Sequence, residues 1–191
     1  GTASGKTTVA NQIKGVLPKN LKTTLICLDA FYKASLSEIK ENRTHTNVNF
    51  DHPTSFDWKL AESTIKRLLN WETVTIPVYN YVTSKRSDVI MVEGIYALYS
   101  HELNKMAALK IFVDTPDDER FIRRLLRDKK ERGRTDLDIV AQWRTVVQPM
   151  FKQFVEPQRV NAHLIIPWRT KNDVAINALK GATIEITKKT K

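Results

Sequence analysis

The first eight residues combine small side chains, one lysine and two threonines in a spacing that can bind phosphate. They read GTASGKTT and match all but the first position of the pattern G-x-x-x-x-G-K-[ST]. In this pattern backbone N–H groups surround phosphate oxygens, and the following helix points its positive dipole end at them. Lys6 would reach the β- and γ-phosphates of a nucleotide, and the Thr7 hydroxyl would bind Mg²⁺. The residues expected to contact the nucleotide are Gly1, Thr2, Ala3, Ser4, Gly5, Lys6, Thr7 and Thr8.

The same segment has a simpler interpretation as an ordinary helix start. Ser4 would then be the N-cap residue, and Val9, Ile13 and Val16 would form an apolar helix face. The complete GKTT run favours phosphate binding over this alternative. The first glycine of the pattern would precede Gly1, and a phosphate-binding loop follows a strand. We therefore also expect a strand ahead of Gly1.

Two further strands are predicted to end in a carboxylate. The apolar run 22–28 is followed by Asp29, and the run 88–92 is followed by Glu93. In open α/β sheets, ligands bind beyond the carboxyl ends of the strands. Asp29 could therefore act on whatever the loop holds, and Glu93 could bind Mg²⁺ directly or through water. Each residue also has a structural alternative, as a turn or cap residue ahead of the segment that follows it.

Basic side chains cluster in one predicted helix. The net charge is +10 with a pI near 9.7, and eight of the basic residues lie between positions 120 and 134. One helical stripe holds Arg120, Arg123, Arg124 and Arg127, and a second, apolar stripe holds Phe121, Ile122, Leu125 and Leu126. We expect Arg120, Lys129 and Lys130 to form a solvated face. The arginines near Gly133 suit a lid that closes on a transferring phosphate.

Such a cluster can serve a nucleic acid or a single polyphosphate. No aromatic residues interleave its basic side, as a groove for single strands requires. We therefore favour the polyphosphate and expect no nucleic-acid partner. A basic nucleic-acid-binding protein remains the alternative from another functional class, and it predicts binding that weakens steeply with salt.

The composition is that of a soluble globular protein with one domain over residues 1–191. Hydrophobic residues make up 41% and charged residues 27% of the chain. No apolar run approaches the roughly 18 residues of a membrane span, so no membrane partner is expected. The single cysteine, Cys27, lies in an apolar run and has no partner in the chain. This predicts a buried core thiol and a cytoplasmic protein.

Strands and helices alternate along the rest of the chain, which predicts an α/β fold with a parallel sheet covered by helices on both faces. The first predicted helix runs from the loop to about residue 15. Further helices are predicted over 55–69, 96–106, 136–154 and 172–187. One more helix is predicted to start at residues 114–116. Strands are predicted over 22–28, 88–92, 109–113 and 163–167, and a hairpin over 73–76 and 78–82. Tyr79 and Tyr81 share one face of the hairpin, either as half-buried strand aromatics or as a platform for a ligand.

With these pieces in order, the chain resembles the uridine-cytidine kinase family of P-loop nucleoside kinases. The matching segments are GTASGKTTVA, LDAFYK, NFDHP, IPVYNYV, VEGI, FVDTPDDERFIRRLLRD, ERGR and QPMFKQFVEPQRVNAHLIIP. The resemblance implies a P-loop NTPase fold with a small hairpin and an Arg-rich lid. It also implies transfer of the γ-phosphoryl group of ATP or GTP, with Mg²⁺, to the 5′-hydroxyl of uridine or cytidine. A homotetramer is a further implication.

The resemblance also implies roles for individual residues. Asp29 matches the carboxylate that takes the proton from the nucleoside hydroxyl, and Asp51 matches the acid that holds the ribose hydroxyls. Tyr32 and Phe50 match the walls of the ribose site, and Tyr79 and Tyr81 match aromatics around the pyrimidine. Residues that match contacts on the substrate side are Arg124, Arg134 and Gln142. Arg127 and Arg132 match lid arginines that contact the phosphates.

The chain departs from the family pattern in two internal places. Ser84 stands where the family has a histidine that contacts the base, which leaves the preference between uridine and cytidine open. The family also has a longer segment between Arg86 and Ser87. Within the enzyme class, a P-loop kinase for another small alcohol, such as pantothenate or a sugar phosphate, remains the alternative. The tyrosines and Phe50 favour a flat base as the substrate.

Overall fold

The computed structural model describes residues 1–33, 49–76 and 87–189, and the backbone of residues 81–83. The helices are α1 (Lys6–Val16), α2 (Trp58–Leu69), α3 (His101–Met106), α4 (Asp117–Arg132), α5 (Asp136–Gln142), α6 (Gln148–Met150) and α7 (Asp173–Lys189). The strands are β1 (Thr23–Cys27), β2 (Val74–Ile76), β3 (Tyr81–Thr83), β4 (Val89–Glu93), β5 (Ile111–Asp114) and β6 (Leu164–Pro167). Short 3₁₀ helices cover Leu28–Phe31, Pro53–Ser55 and Glu156–Asn161.

The strands pair as two parallel pairs and one antiparallel hairpin. β1 pairs with β4 in a register that sets Cys27 opposite Glu93, and β5 pairs with β6. The predicted hairpin is confirmed, because β2 and β3 are antiparallel. Since parallel strands end at the same edge, the register of β1 and β4 brings Asp29 and Glu93 to one edge.

A cavity of about 120 Å³ separates the two parallel pairs. Met91, Val92 and Glu93 of β4 line one side, and Ile111, Phe112 and Val113 of β5 line the other. Among the described residues, β4 and β5 are not hydrogen-bonded to each other. The prediction of an α/β chain with parallel strands is thus confirmed. Within the described residues, the β1–β4 pair and the β5–β6 pair are not joined into one sheet.

Apolar side chains of the strands and of the helices that flank them gather in two clusters. The first cluster includes Ile26, Leu28, Phe31, Phe56, Ala61, Ile65, Leu68, Val74, Ile76, Tyr96 and Leu103. The second includes Val9, Ile13, Leu17, Ile166, Trp168, Ile176 and Leu179 and joins α1 to α7 and β6. Burial of these side chains fixes α1, and with it the loop at its N-terminus, against the β5–β6 pair.

Helix α4 turns its charged face inward, which contradicts the expected solvated face at Arg120. Arg120 is 1% exposed, whereas Ile122 and Leu126 on the predicted apolar stripe are 49% and 64% exposed. The Arg120 guanidinium lies 3.7 Å from the centroid of the Phe151 ring and forms an ion pair with Asp117. Arginine is suited to such burial because its planar, weakly hydrated cation packs on aromatic rings.

The predicted helix over 136–154 is helical throughout but is not regular. Wide π-helical turns at Trp143–Val147 and Phe151–Val155 flank the short helix α6, which contains Pro149. Proline has no N–H to donate to the carbonyl four residues earlier, and a wider turn accommodates the missing hydrogen bond. This geometry sets the position of Gln142 at the end of α5. No helix in the part of the chain that the structure describes is long and apolar enough to cross a membrane.

Replacement of Gly133 should lower the free energy of unfolding, because Gly133 ends α4 in the left-handed conformation with φ +62°. No described neighbouring atom lies within 4 Å of the position that a Cβ would take, so the cost in Gly133→Ala is conformational, about 1 kcal/mol. Gly181→Ala is the matched control, because Gly181 lies inside α7 with equally open space and alanine stabilises a helix interior by about 1 kcal/mol. The midpoint of urea unfolding should therefore fall in Gly133→Ala and rise in Gly181→Ala. A shift in the same direction in both variants would contradict the left-handed conformation assigned to Gly133.

Candidate active site

The backbone of the phosphate-binding loop adopts two left-handed residues before α1 begins. Ala3 has φ +55° and Gly5 has φ +85°. Gly5, and not Ser4, is the N-cap residue, and the buried Ser4 hydroxyl has no hydrogen-bond partner among the described residues. The interpretation of Ser4 as an ordinary helix cap is therefore wrong. A left-handed alanine is strained, and such strain is typical of functional loops.

The loop is held against the segment that follows β6. A Cβ on Gly5 would lie 2.6 Å from the indole of Trp168, so only glycine fits beneath this buried ring. Thr115 Oγ1 donates to the carbonyl oxygen of Ser4 at 2.9 Å and lies 3.3 Å from the carbonyl oxygen of Trp168. Thr115 thus fixes the loop and does not cap α4, where Pro116 stands at the N-cap position.

Glu93 connects the loop to the end of β4. Thr7 Oγ1 donates to Glu93 Oε1 at 3.0 Å, and Lys6 Nζ lies 3.4 Å from Glu93 Oε2. Glu93 is buried, so these two partners compensate the cost of taking its charge out of water. The Glu93 side chain is therefore not a helix cap. Cys27 is half-buried, so the prediction of a fully buried core thiol is wrong. Desolvation, together with Asp29 and Glu93 nearby, raises the pKa of its thiol to about 12, which disfavours the reactive thiolate.

The same groups fit Mg²⁺ bound together with a triphosphate. A hydroxyl and a carboxylate are the hard oxygen donors that Mg²⁺ uses, and phosphate oxygens and water complete its shell. Glu93 Oε2 has no hydrogen-bond partner among the described residues, which leaves it able to accept. Those residues contain no cluster of three His, Cys, Asp or Glu side chains that could hold a metal by themselves. A magnesium site here would therefore depend on the phosphates.

Two carboxylates, Asp29 and Asp51, lie close enough to the loop and to α4 to interact electrostatically with their cations. Asp29 follows β1 in the 3₁₀ turn Leu28–Phe31, and its side chain is exposed while its neighbours Leu28 and Ala30 are buried. Desolvation by the surrounding protein raises its pKa; Lys6, Arg132 and Arg127 lower it, and Glu93 raises it. These interactions set the carboxylate among the groups that would meet a nucleotide.

Asp51 is the second of these carboxylates. Desolvation and the charge of Asp29 raise its pKa, whereas Arg124 lowers it. The Tyr96 hydroxyl donates to its backbone carbonyl oxygen. Tyr32 donates to the carbonyl oxygen of Phe50 at 3.0 Å, and the two rings meet edge to face at 5.2 Å. The predicted walls of the sugar site are thus packed together beside Asp51.

Arginines of α4 reach both the loop and α5. Arg124 is buried, donates to Gln142 Oε1 at 2.8 Å and to Thr2 Oγ1 at 3.2 Å, and burial lowers its pKa. Arg134 donates to the same Gln142 oxygen. Three residues that were predicted on the substrate side are therefore brought together, next to the phosphate-binding loop.

The sequence matches the phosphoribulokinase/uridine kinase family over residues 1–175. This chain belongs to that family. It is similar to the uridine kinase of Ureaplasma parvum serovar 3, with 40% identity over 187 residues that cover 93% of this chain and 89% of the relative. The uridine kinase of Mycoplasma genitalium is 40% identical over 199 residues, covering 100% and 92%. Uridine-cytidine kinase B of Dictyostelium discoideum is 39% identical over 188 residues, covering 94% and 76%.

Some predicted residues of this family member lie outside the described residues. Tyr79 and Ser84 fall in segments of which nothing is described, and for Tyr81 only the backbone of β3 is described. The surroundings of the base therefore rest on the sequence alone. Asp29, Asp51, Tyr32, Phe50, Arg124, Arg127, Arg132, Arg134 and Gln142 all lie in described segments.

One residue of the site was missed by the sequence analysis. Asp128 is fully buried in this phosphoribulokinase/uridine kinase family member, and Arg127 donates to it at 2.9 Å. The signal was present in the helical spacing, because Asp128 lies four residues after Arg124 and four before Arg132.

Proposed function

We propose that this protein is a nucleoside kinase that transfers the γ-phosphoryl group of ATP or GTP to the 5′-hydroxyl of uridine or cytidine. The observation that carries the proposal is the register of β1 and β4, which brings Asp29 to the same edge as Glu93, Lys6 and Thr7. An acid facing a phosphate-binding loop is the arrangement that phosphorylation of an alcohol requires. The named activity of the relatives supports uridine and cytidine as the acceptors.

In the proposed mechanism the protein positions the reactants and neutralises charge. Asp29 accepts the proton of the 5′-hydroxyl, whose oxygen forms a bond to the γ-phosphorus while the bond to the β–γ bridging oxygen breaks. The product pair is the nucleoside monophosphate and the nucleoside diphosphate. Lys6, Arg127 and Arg132 offset the charge on the transferring group. Mg²⁺, held by Thr7 and Glu93, would add further charge neutralisation on the phosphates.

The acceptor nucleoside is proposed to lie between Asp51 and the arginines of α4. Asp51 would hold the ribose hydroxyls, with the packed pair of Tyr32 and Phe50 as the wall. Arg124, Arg134 and Gln142 would contact the acceptor side of the cleft, and Tyr79 and Tyr81 would surround the pyrimidine. Tyr32 and Phe50 support a flat substrate over a small acyclic alcohol.

The finer features of the fold are also proposals. They include one continuous sheet covered by helices on both faces. Residues Arg127 to Arg134 would form the Arg-rich lid. Assembly as a homotetramer and a cytoplasmic location stay predictions from the family resemblance and the cysteine content.

The inward-facing arginines of α4 argue against a nucleic-acid-binding function. A protein that binds duplexes needs an exposed basic surface. Arg120 and Arg124 are buried instead, and Asp128 lies among their neighbours. Part of the basic stripe is therefore buried or neutralised by Asp128, which makes it less suited to bind a duplex.

The activity is tested with purified protein, labelled ATP and a panel of acceptors: uridine, cytidine, pantothenate and a pentose phosphate. We expect kcat/KM for uridine or cytidine to exceed that for the other acceptors by about 10²-fold or more, because polar groups of the site would stay unpaired with the wrong acceptor. If the protein prefers pantothenate or the pentose phosphate, the proposed substrate is wrong but the assignment as a kinase stands. Lack of transfer to all four would reject the kinase assignment.

Asp29→Asn should abolish most turnover while nucleotide binding persists. Removal of a general base lowers rates by about 10²- to 10⁴-fold. Isothermal titration should give an affinity for ATP at least as high as that of wild type, because the substitution removes a negative charge near Lys6 and no positive one. Asp118→Asn is the control, because Asp118 is an exposed carboxylate that pairs with Arg169 at the surface, and its kcat should stay at the wild-type value. A kcat for Asp29→Asn within a few fold of wild type would dismiss Asp29 as the base.

The acidic limb of the kcat–pH profile should report Asp29. Desolvation by the surrounding protein raises the pKa of Asp29 although its side chain is partly accessible to solvent. We therefore expect kcat at saturating substrates to fall with decreasing pH at an apparent pKa above about 3.9, the ordinary value. Arg132 favours the ionised carboxylate, so Arg132→Ala should move the limb to higher pH. Lys129→Ala, which removes an exposed cation paired with Asp136, should leave it in place. A limb that moves to lower pH in Arg132→Ala would contradict this electrostatic assignment.

A further inference from the structure

Asp128 is the focus of four arginine side chains. It is 0% exposed at the end of the inward face of α4. Its carboxylate forms ion pairs with Arg124, Arg127, Arg132 and Arg134. A fully buried carboxylate is stable only when cations and hydrogen bonds compensate its desolvation. Here the compensating cations are the same side chains that the proposed function assigns to phosphate and acceptor.

The four contacts divide unequally between the two carboxylate oxygens. Oδ1 accepts from Arg127 Nε at 2.9 Å, lies 2.8 Å from Arg127 Nη2, and lies 3.4 Å from Arg132 Nη1. Oδ2 is 3.5 Å from Arg124 Nε and 3.9 Å from Arg134 Nη1, and within the described residues it has no hydrogen-bond partner. The shortest contacts therefore hold Arg127, while Arg132 and Arg124 form longer ion pairs with the two oxygens.

The backbone of Asp128 supports the same arrangement. Its carbonyl oxygen accepts from the N–H of Gly133 and from the N–H of Arg134 at 3.2 Å. These bonds close the end of α4 through the left-handed Gly133, so the chain turns back toward the carboxylate. One residue thus fixes the end of the helix with its backbone and the guanidinium groups with its side chain.

Two of these arginines, Arg127 and Arg132, keep part of their surface accessible to solvent. Arg127 and Arg132 are 30% and 54% exposed, and both interact electrostatically with the Asp29 carboxylate. Arg124 interacts in the same way with Asp51. A carboxylate that only stabilised the fold would need one or two buried partners. This one holds cations whose charges also act on the proposed catalytic carboxylate, Asp29, and on the proposed substrate carboxylate, Asp51.

We propose that Asp128 is a positioning residue that sets the geometry of Arg127 and Arg132 for phosphoryl transfer. The inference rests on the proposed kinase function for its kinetic consequence. Four cations close together repel one another, and the buried anion holds their guanidinium groups in one arrangement before the triphosphate binds. Misplacement of such groups by about 1 Å costs on the order of 10²-fold in rate.

The sign of the effect separates positioning from simple charge balance. Neutralising Asp128 adds one positive charge to the cleft, and charge alone would then tighten the binding of a polyanion. Loss of positioning instead weakens binding, because the guanidinium groups must be ordered when the anion arrives. The two explanations therefore predict opposite changes for one substitution.

The test compares Asp128→Asn with Asp136→Asn. Asp136 is an exposed carboxylate paired with Lys129 at 2.9 Å, so both variants gain the same charge near α4. For Asp128→Asn we expect kcat to fall about 10²-fold after correction for the folded fraction, with the nucleoside KM within about threefold of wild type. In an Arg127→Ala/Arg132→Ala background the same substitution should change kcat less than about threefold, because its partners are gone. Asp136→Asn should match wild type throughout.

Binding of inorganic tripolyphosphate, measured by isothermal titration, gives a readout that does not need turnover. Asp128→Asn should bind it more weakly than wild type and Asp136→Asn should not. The tripolyphosphate measurement tests the positioning role even if the wild-type protein phosphorylates none of the nucleosides. Lack of nucleoside phosphorylation would count against the proposed function alone. Unchanged or tighter binding in Asp128→Asn, or an equal loss of kcat in the double-arginine background, would overturn the positioning role.

Folding is checked by thermal unfolding, with Asp128→Glu as the second variant. Glutamate keeps the charge but displaces the carboxylate by one methylene, so a folded protein with kcat lowered about tenfold or more is expected. A folded Asp128→Glu variant with wild-type kcat would overturn the proposal. Failure of both variants to fold would make Asp128 a structural residue and would overturn it as well.

Discussion

The described site depends on compensation of the buried Glu93 carboxylate by Lys6 and Thr7. A carboxylate in this position is unfavourable unless a cation and a donor accompany it, and the first two residues of α1 supply both. This requirement fixes the distance between α1 and the end of β4. Since β4 is in register with β1, it also fixes where Asp29 stands relative to the loop. The contact of Glu93 with Lys6 and Thr7 thus couples α1 to β4 and β1, and it sets the position of Asp29 relative to Glu93.

A second constraint comes from packing on the other side of the loop. The indole of Trp168 lies against Gly5, and Thr115 bonds the carbonyl of Ser4, so the loop is confined between α1 and the segment after β6. Arg123 adds to this by donating to the carbonyl of Arg169 at 2.6 Å. The left-handed conformation of Ala3 is held by these contacts and not by its own preference. A loop that is arranged before a ligand arrives loses less entropy on binding.

Helix α4 shows how a charged face becomes an interior face. Its inward side carries Arg120, Arg124 and Asp128, and aromatic rings and opposite charges take the place of water around them. The outward side carries Ile122 and Leu126, which the usual rule for amphipathic helices would bury. Contacts with aromatic rings and carboxylates explain why the arginines are buried, because these groups offset the cost of taking a cation out of water.

The sequence by itself determined the phosphate-binding loop, the carboxylates after β1 and β4, the hairpin and the order of strands and helices. These features follow from local spacing, since loop glycines, strand ends and helix periods are written in neighbouring residues. The orientation of α4, the burial of Asp128, the exclusion of Ser4 as a cap and the role of Thr115 were decided only by the tertiary structure. Each depends on partners far along the chain: Phe151 for Arg120, and Ser4 and Trp168 for Thr115. Which face of a charged helix turns inward is set by the groups packed against it, and periodicity within the helix does not contain that information.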